Sequence, residues 1–355
     1  MDLAAFDYQL PPELIAQEPL ADRTASRMLV VYRAERRWED RHFREFPSFL
    51  NPGDCLVLND SRVFPARLFG HREGVHSLPV GKRNPKRLEH LSGEVEVFLT
   101  RQAGADGREW EALVRPGRKM RVGERIRFGD GLEAEIVGRG AFGERTIRFH
   151  TDADLFTEFE KIGHVPLPPY IKRADQPADR ERYQTVFARE KGSVAAPTAG
   201  LHFTAEILDE CRRRSAEIAY VTLHVGLGTF QPLHTQVIEQ ARLHSEHYAI
   251  GEESAAKMKA ARRRVAVGTT AVRAIETAFQ HGGLTAQQAE TDIFIYPGFQ
   301  FLGTGAMLTN FHLPRTSLLL LVCAFGGTEL VLNAYHHAVD QRYRFYSYGD
   351  CMLVL

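Results

Sequence analysis

Glu94-Val-Glu-Val-Phe-Leu99, Trp110-Glu-Ala-Leu-Val114, Arg125-Ile-Arg-Phe128, Leu132-Glu-Ala-Glu-Ile-Val137 and Thr146-Ile-Arg-Phe149 follow one another with apolar and polar residues alternating. A period of two turns one face to a core and the other to water, which marks half-buried strands. Ten of the 29 glycines fall between Gly93 and Gly143, in the gaps between these segments, where turns need residues free of a side chain. Adding Arg62-Val-Phe-Pro-Ala-Arg-Leu-Phe69 gives about six short strands. A small antiparallel barrel closes such a set without exposed edges.

On either side of this module the pattern changes. Met28–Tyr32, Cys55–Leu58, Ala219–Val225, Arg264–Val267, Asp292–Tyr296 and Met307–Thr309 read as buried strands. Helical segments alternate with the later ones: Thr204–Ser215, Glu252–Arg263, Thr270–His281, Ser317–Phe325 and Thr328–Val339. Strand–helix alternation argues an α/β domain. The predicted fold is therefore a discontinuous α/β domain with a mixed sheet, residues 1–60 and 151–355, into which a small antiparallel β-barrel, residues 61–150, is inserted. At 355 residues, two domains fit the usual size.

Hydrophobic residues are 44% and charged residues 25%, which excludes a disordered chain and a disulfide-dense miniprotein. The run Leu318–Phe325 is far short of the ~20 apolar residues of a membrane span and reads as a buried core helix. No basic segment followed by an apolar one opens the chain, so no signal peptide is expected. Cys55, Cys211, Cys323 and Cys351 form no CxxC pair, which argues against a cysteine-built zinc site and for reduced thiols in the cytoplasm. Lys+Arg and Asp+Glu are both 45, but the zero conceals a split. Residues 62–150 hold 18 Lys/Arg against 12 Asp/Glu, concentrated at Arg115, Arg118, Lys119 and Arg121. Such a stripe is the footprint of a polyanion partner; the alternative is a solvated charged face. Residues 71–92 read as a basic loop.

Polar residues and glycine crowd the C-terminal ends of the predicted strands, where open α/β sheets hold ligands. Gly192–Thr204 is a loop by Pro197 and Gly200, with Thr204 as helix N-cap. His202 within it is a general base or a loop-anchoring donor. Thr222-Leu-His-Val-Gly-Leu-Gly-Thr-Phe-Gln-Pro232 superficially matches a dinucleotide or methyltransferase fingerprint. Gln231 and Pro232 stand where a helix should open, which disfavours a methyltransferase. Gly226 and Gly228 then let backbone approach a flat ligand on which Phe230 stacks. His244 and His247 do not have the helical spacing of zinc proteases, so a metal site is not expected and Glu246 with His244 is an acid/base pair. Val267-Gly-Thr-Thr270 passes from strand into helix, whose N–H groups suit a carboxylate or phosphate, with Arg273 one turn in. Capping by Thr269 or Thr270 is the plainer alternative. Asn310 and His312 are polar within an apolar frame.

Taken together, these segments resemble the S-adenosylmethionine:tRNA ribosyltransferase-isomerase family of queuosine biosynthesis. The resemblance runs nearly end to end, through Asp7-Tyr-Gln-Leu-Pro11, Leu58-Asn-Asp-Ser-Arg-Val63, Pro166-Leu-Pro-Pro-Tyr-Ile171, Asp179 with Arg182-Tyr-Gln-Thr185, Ala195–Thr204, Thr222–Phe230, Val267–Thr270, Thr309–Pro314 and Tyr343–Asp350. It departs at the loop 71–92, longer and more basic than in the family, at Ala241 in place of the first histidine of a His-x-Met-His pattern, and at Arg315-Thr-Ser.

The resemblance implies transfer of the ribosyl unit of S-adenosylmethionine to 7-aminomethyl-7-deazaguanine at the tRNA wobble position. The sugar is rearranged to an epoxycyclopentane, giving epoxyqueuosine-tRNA, and adenine and methionine leave. S-adenosylmethionine is then a co-substrate, with no resident cofactor and no membrane partner, and a monomer is expected. Such chemistry needs a base for the C5′ proton beside sulfur, an acid for adenine and anchors for the methionine carboxylate. His202 or His224 is expected to move the proton, with Glu246 and His244 as the alternative. Thr269, Thr270 and Arg273 are expected to anchor a carboxylate or phosphate, and Phe230 and Tyr296 to stack on purine rings. Thr198, Gly200, Gly226, Gly228, Thr229, Asn310 and His312 complete the expected substrate site, and Arg115, Arg118, Lys119 and Arg121 the RNA contacts. Two rivals are a metal hydrolase built on His202, His224, His244 and His312, and a non-catalytic RNA-binding protein.

Overall fold

The computed structural model describes residues 1–73, 93–104, 106–129, 131–140, 143–226, 233 and 235–355. They form two compact units. One holds Met1–Arg62, Pro168–Ala174 and Glu181–Leu355; the other holds Val63–Leu167 and Asp175–Arg180. The second unit thus continues past residue 150 through a helix.

In chain order, β1 (Arg27–Tyr32), β2 (Arg37–His42) and β3 (Asp54–Asn59) belong to a large sheet. β4 (Ser61–Val63) follows, and then β5 (Arg67–Arg72), β6 (Glu94–Ala103), β7 (Glu109–Arg115), β8 (Arg125–Phe128), β9 (Leu132–Arg139) and β10 (Glu144–His150). β11 (Glu190–Ser193) pairs with β4. β12 (Glu217–Leu223), β13 (Glu246–Ile250), β14 (Arg263–Val267), β15 (Gln287–Thr291), β16 (Ala306–Asn310) and β17 (Cys351–Val354) return to the large sheet.

The barrel is closed in the order β10-β7-β6-β5-β8-β9, antiparallel throughout. Its alternation is the one read from the sequence: Val95, Val97 and Leu99 point inward from β6, and Trp110, Ala112 and Val114 from β7. Its first strand lies further along than the expected 62–69. Pro65 has no N–H to give to a ladder, so β4 ends before it and β5 starts at Arg67. Gly70 in β5 is a close-approach position, because a Cβ there would lie 2.7 Å from Ile126 and 2.8 Å from Phe128. Helix α1 (Leu155–Ile162), capped by Asp154 accepting the Thr157 N–H at 2.8 Å, packs Phe159 against Trp110 and Phe149.

The large sheet runs β15-β13-β12-β3-β14-β16-β17-β1-β2. β12, β3, β14 and β16 are parallel neighbours, and β17 enters antiparallel to β16, which makes the sheet mixed. Both faces are covered, so its strands are nearly continuous apolar runs. Leu29, Val31, Val57 and Val221 face one core, and Met28, Val30, Leu56 and Leu58 the other. Helices α2 (Ala205–Arg213), α3 (Glu252–Ala260), α4 (Thr269–Gln280), α5 (Ser317–Gly326) and α6 (Thr328–Asp340) complete this unit. α5 is the apolar run at Leu318 and is buried on nearly all sides, as an all-apolar helix must be. No single described helix is long and apolar enough to cross a membrane.

Asp292–Tyr296, expected as a strand, is irregular; the strand lies just before it at Gln287–Thr291. Thr291 Oγ1 accepts the Ile293 N–H at 3.2 Å, turning the chain off the sheet edge, and Ile293 and Ile295 are buried by packing rather than by pairing. Similarly, His244 precedes the strand that begins at Glu246, and the expected helix reaching Arg263 stops at Ala260 because Arg263 is already in β14.

Candidate active site

The C-terminal ends of the parallel strands β12, β14 and β16 converge on an open cleft of about 630 Å³. Val225 follows β12, Gly268-Thr269-Thr270 follow β14, and Thr309–Leu313 leave β16. Gly268 has φ +89°, a region that side chains disfavour, and this lets the chain turn from β14 straight into α4. Ala196–Ala199 overhang the cleft as part of a loop that ends in a 3-10 turn, Thr198–His202. Thr204 caps α2 as expected, its Oγ1 accepting the Ile207 N–H at 3.4 Å.

Asn59 ties these ends together. Its Nδ2 donates to the Leu223 carbonyl at 3.0 Å and to Thr270 Oγ1 at 3.2 Å, and its Oδ1 accepts the Leu223 N–H at 3.0 Å. One amide thereby fixes β3, β12 and the start of α4.

Asn310 is 2% exposed and lines the cleft floor. Its Nδ2 donates to the Tyr346 carbonyl at 3.0 Å and lies 3.3 Å from His202 Nε2, while its Oδ1 is buried with no hydrogen-bond partner. An unpaired buried acceptor is costly and calls for a donor. His202 Nδ1 lies 2.7 Å from Ser26 Oγ, which itself donates to the Arg23 carbonyl. That network assigns the ring as a neutral tautomer with the proton on Nδ1. Burial, reinforced by the charges of Arg23 and Arg344, pulls the His202 pKa down to about 3. His312 also lines the cleft, its Nε2 2.8 Å from Thr309 Oγ1, and burial alone lowers its pKa to about 3.

The structure brings Thr198, Thr269, Thr270, Asn310 and His312 together in this cleft. Arg273 and Glu246 are not part of its lining. They form a buried ion pair behind it, and Glu246 Oε1 also accepts the Gly226 N–H at 2.8 Å. Glu246 is thus engaged with Arg273 and Gly226, whereas His244 is exposed ahead of the strand. Gly200 has a packing reason, since a Cβ there would sit 2.8 Å from Phe187 and Thr185. His224 points toward Gly192 and stacks on His247 at 6.2 Å; burial and the neighbouring ring lower its pKa. Tyr296 packs on Phe294 away from the cleft lining. Gly228, Thr229 and Phe230, and most of the loop 71–92, lie outside the described residues. Among the described residues no group of three His, Cys, Asp or Glu side chains is gathered to hold a metal ion.

Sequence reasoning missed Tyr170, Tyr346 and Ser347 as cleft residues. Tyr170 packs on Tyr346 with ring centroids 4.0 Å apart and planes tilted by 40°, and its OH lies 2.5 Å from Ser347 Oγ. Tyr346 has φ +73°, a strained conformation for a residue with a side chain. Pro166–Ile171 and Tyr343–Asp350 were legible as motifs, but their meeting is not local.

On the barrel unit, Arg115, Arg118, Lys119 and Arg121 are all exposed on and around the β7–β8 turn. None forms an ion pair among the described residues. Arg145 holds that turn from beneath, Nε donating to the Met120 carbonyl at 2.9 Å and Nη2 to the Gly117 carbonyl at 2.8 Å.

A model of the queuosine biosynthesis protein family matches residues 3–354. The chain is 70% identical over 355 residues to the S-adenosylmethionine:tRNA ribosyltransferase-isomerase of Solibacter usitatus, with both chains covered completely. It is 50% identical over 361 residues to the enzyme of that name from Symbiobacterium thermophilum, again over the whole of both. The crystal structure of S-adenosylmethionine tRNA ribosyltransferase from Thermotoga maritima is similar at 36% identity and TM-score 0.54, covering 99% of this chain and 100% of that one. The chain therefore belongs to the queuosine biosynthesis family, that of the S-adenosylmethionine:tRNA ribosyltransferase-isomerases.

Proposed function

We propose that this enzyme transfers and isomerises the ribosyl moiety of S-adenosylmethionine onto 7-aminomethyl-7-deazaguanine at the tRNA wobble position. The product is epoxyqueuosine-tRNA, and adenine and methionine are released. The observation that carries the reading is the cleft at the ends of β12, β14 and β16, lined by the start of α4 and by Asn310, whose buried Oδ1 has no partner.

Several groups answer needs of that chemistry, although His202 and His224 are not part of the cleft lining. The first N–H groups of α4 and the hydroxyls of Thr269 and Thr270 suit the methionine carboxylate. Asn310 Oδ1 suits an N–H donor such as the adenine amino group or an ammonium. Positive sulfur acidifies the neighbouring C5′ hydrogen, and a neutral imidazole is needed to accept it. His202 and His224 are both neutral at physiological pH, since burial lowers each pKa. The Nε2 of His202 faces Asn310, so this ring also holds that amide in place. The exposed cations Arg115, Arg118, Lys119 and Arg121 suit RNA phosphates. A wobble base lies in an unpaired loop, so extruding it costs less than flipping from a duplex.

The test is mass spectrometry of tRNA bearing the aminomethyl precursor after incubation with enzyme and S-adenosylmethionine. The reading expects a modified nucleoside of the epoxyqueuosine mass, with adenine released in equal amount. Unmodified tRNA with intact S-adenosylmethionine sinks it.

A further inference from the structure

A second, more open pocket lies in the same unit, lined by Pro19, Arg23, Ser26, Arg182, His202 and Ser347 among others. It shares Ser347 with the reaction cleft, and the two meet at the His202–Asn310 contact. Its cations are held in an unusual way. Arg23 Nη1 donates to the Leu201 carbonyl at 2.9 Å and Nη2 to the Glu181 carbonyl at 3.0 Å. Arg182 reaches back, donating to the Leu20 carbonyl at 2.5 Å and the Ala21 carbonyl at 3.2 Å. The two guanidinium groups cross-brace both strands of chain and leave other N–H donors of each fork unused.

Arg344, whose charge acts on His202 of this cavity, donates from Nη2 to the Glu18 carbonyl while its Nη1 is buried with no partner. None of the three is ion-paired among the described residues. Asp22 accepts the Thr24 N–H and hydroxyl, and Asp350 accepts the backbone N–H groups of Arg27 and Arg344, while their charges act on Arg182 and Arg344 from beyond ion-pair distance. Glu181 is exposed. Elsewhere in this unit, arginines such as Arg189, Arg263 and Arg315 meet carboxylates at Asp60, Asp54 and Asp7. Burial, with the charge of Arg182, lowers the pKa of Arg23 despite Glu181 and Tyr348, and burial lowers that of Arg344 despite Asp350. An anion in the cavity relieves that cost.

We propose that the Arg23–Arg182 cavity is a phosphate subsite that grips a backbone phosphate of the RNA substrate next to the nucleoside in the reaction cleft. This rests on the proposed function for the identity of the polyanion. Arg23 and Arg182 supply the forked donors. The shared wall of His202, Asn310 and Ser347 ties the grip to the cleft, so a seated phosphate registers the nucleotide being modified.

The test measures binding of an anticodon stem-loop RNA and of S-adenosylmethionine to the wild type, R23Q and R182Q over a range of KCl concentrations. Each substitution is expected to weaken RNA binding roughly tenfold or more. It should also flatten the log–log salt slope by about 0.7 for each lost single-strand phosphate contact. Affinity for S-adenosylmethionine stays within twofold. One uncharged methylphosphonate linkage beside the wobble nucleoside is expected to weaken the wild type but not R182Q. Because Arg182 braces backbone, R182K is run in parallel, with thermal melting as the fold check; it should keep the salt slope. RNA binding unchanged in folded variants overturns the proposal, and so does loss of S-adenosylmethionine affinity with RNA binding intact, which would make the cavity a carboxylate site. If the wild type modifies tRNA while both variants bind RNA normally, only this subsite fails. If the wild type neither binds nor modifies tRNA, the functional reading fails as well.

Discussion

Arg273 Nη1 donates to Glu246 Oε2 where the two side chains are 5% and 6% exposed, joining α4 to β13 across 27 residues of sequence. Glu246 also accepts the Gly226 N–H at 2.8 Å, so the pair holds the chain leaving β12 beside the cleft. A buried pair of this kind is worth little against an apolar pair, but removing one partner leaves an uncompensated charge. Arg273→Met is therefore expected to cost about 3–5 kcal/mol in urea unfolding. A loss below 1 kcal/mol would mean that the pair is hydrated and does not position Gly226.

The buried neutral ring of His202 makes stability depend on pH. Its folded pKa of about 3 lies below the ordinary 6.5, so between those values the unfolded chain binds a proton that the folded chain does not. Its contribution is fully present above pH 6.5 and is lost as pH falls toward 3, at up to ~1.4 kcal/mol per unit. His202→Asn is expected to flatten the pH slope of unfolding free energy between pH 6 and 4 by about one proton. His312 adds a second, separate contribution of the same sign, which H202N leaves in place. An unchanged slope in H202N would show the ring to be solvated.

The same residue has a catalytic readout. If His202 accepts the C5′ proton, His202→Ala lowers turnover at saturating substrates by ~10²–10⁴-fold, and His224→Ala does so if that ring is the acceptor. Unchanged turnover removes whichever ring was replaced from that role.

On the barrel, Arg118 and Lys119 are exposed on a turn held by Arg145. Reversing both charges is expected to raise the KM for tRNA roughly tenfold or more while leaving that for S-adenosylmethionine nearly unchanged. Equal effects on both substrates would count against an RNA contact at this turn.

Gly200 tests packing against binding. A methyl group there meets Phe187 and Thr185 at 2.8 Å, so Gly200→Ala is expected to destabilise by roughly 1–3 kcal/mol in chemical denaturation. A stability unchanged within error would return Gly200 to the binding site.

The barrel was readable because an alternation of period two, with glycine in the gaps, is a local signal. The helices after Thr204 and Thr269 were readable because a cap or a strand-to-helix turn sits beside an apolar stripe, and the helix at Ser317 because of its continuous apolar run. Asp292–Tyr296 misled, since buried isoleucines look alike whether they are buried by pairing or by packing.

The amino-acid sequence alone determined the barrel, the α/β alternation and, through motifs in a fixed order, the family. It also named Thr269, Thr270, Asn310 and His312, polar residues at strand ends. Only the tertiary structure decided that Glu246 pairs with Arg273, that Tyr170 meets Tyr346, and that Arg23 and Arg182 cross-brace one pocket. Local patterns report how a segment divides its faces between core and water. They do not report which distant segment supplies the partner for a buried charge, because that is fixed by the packing of the whole unit.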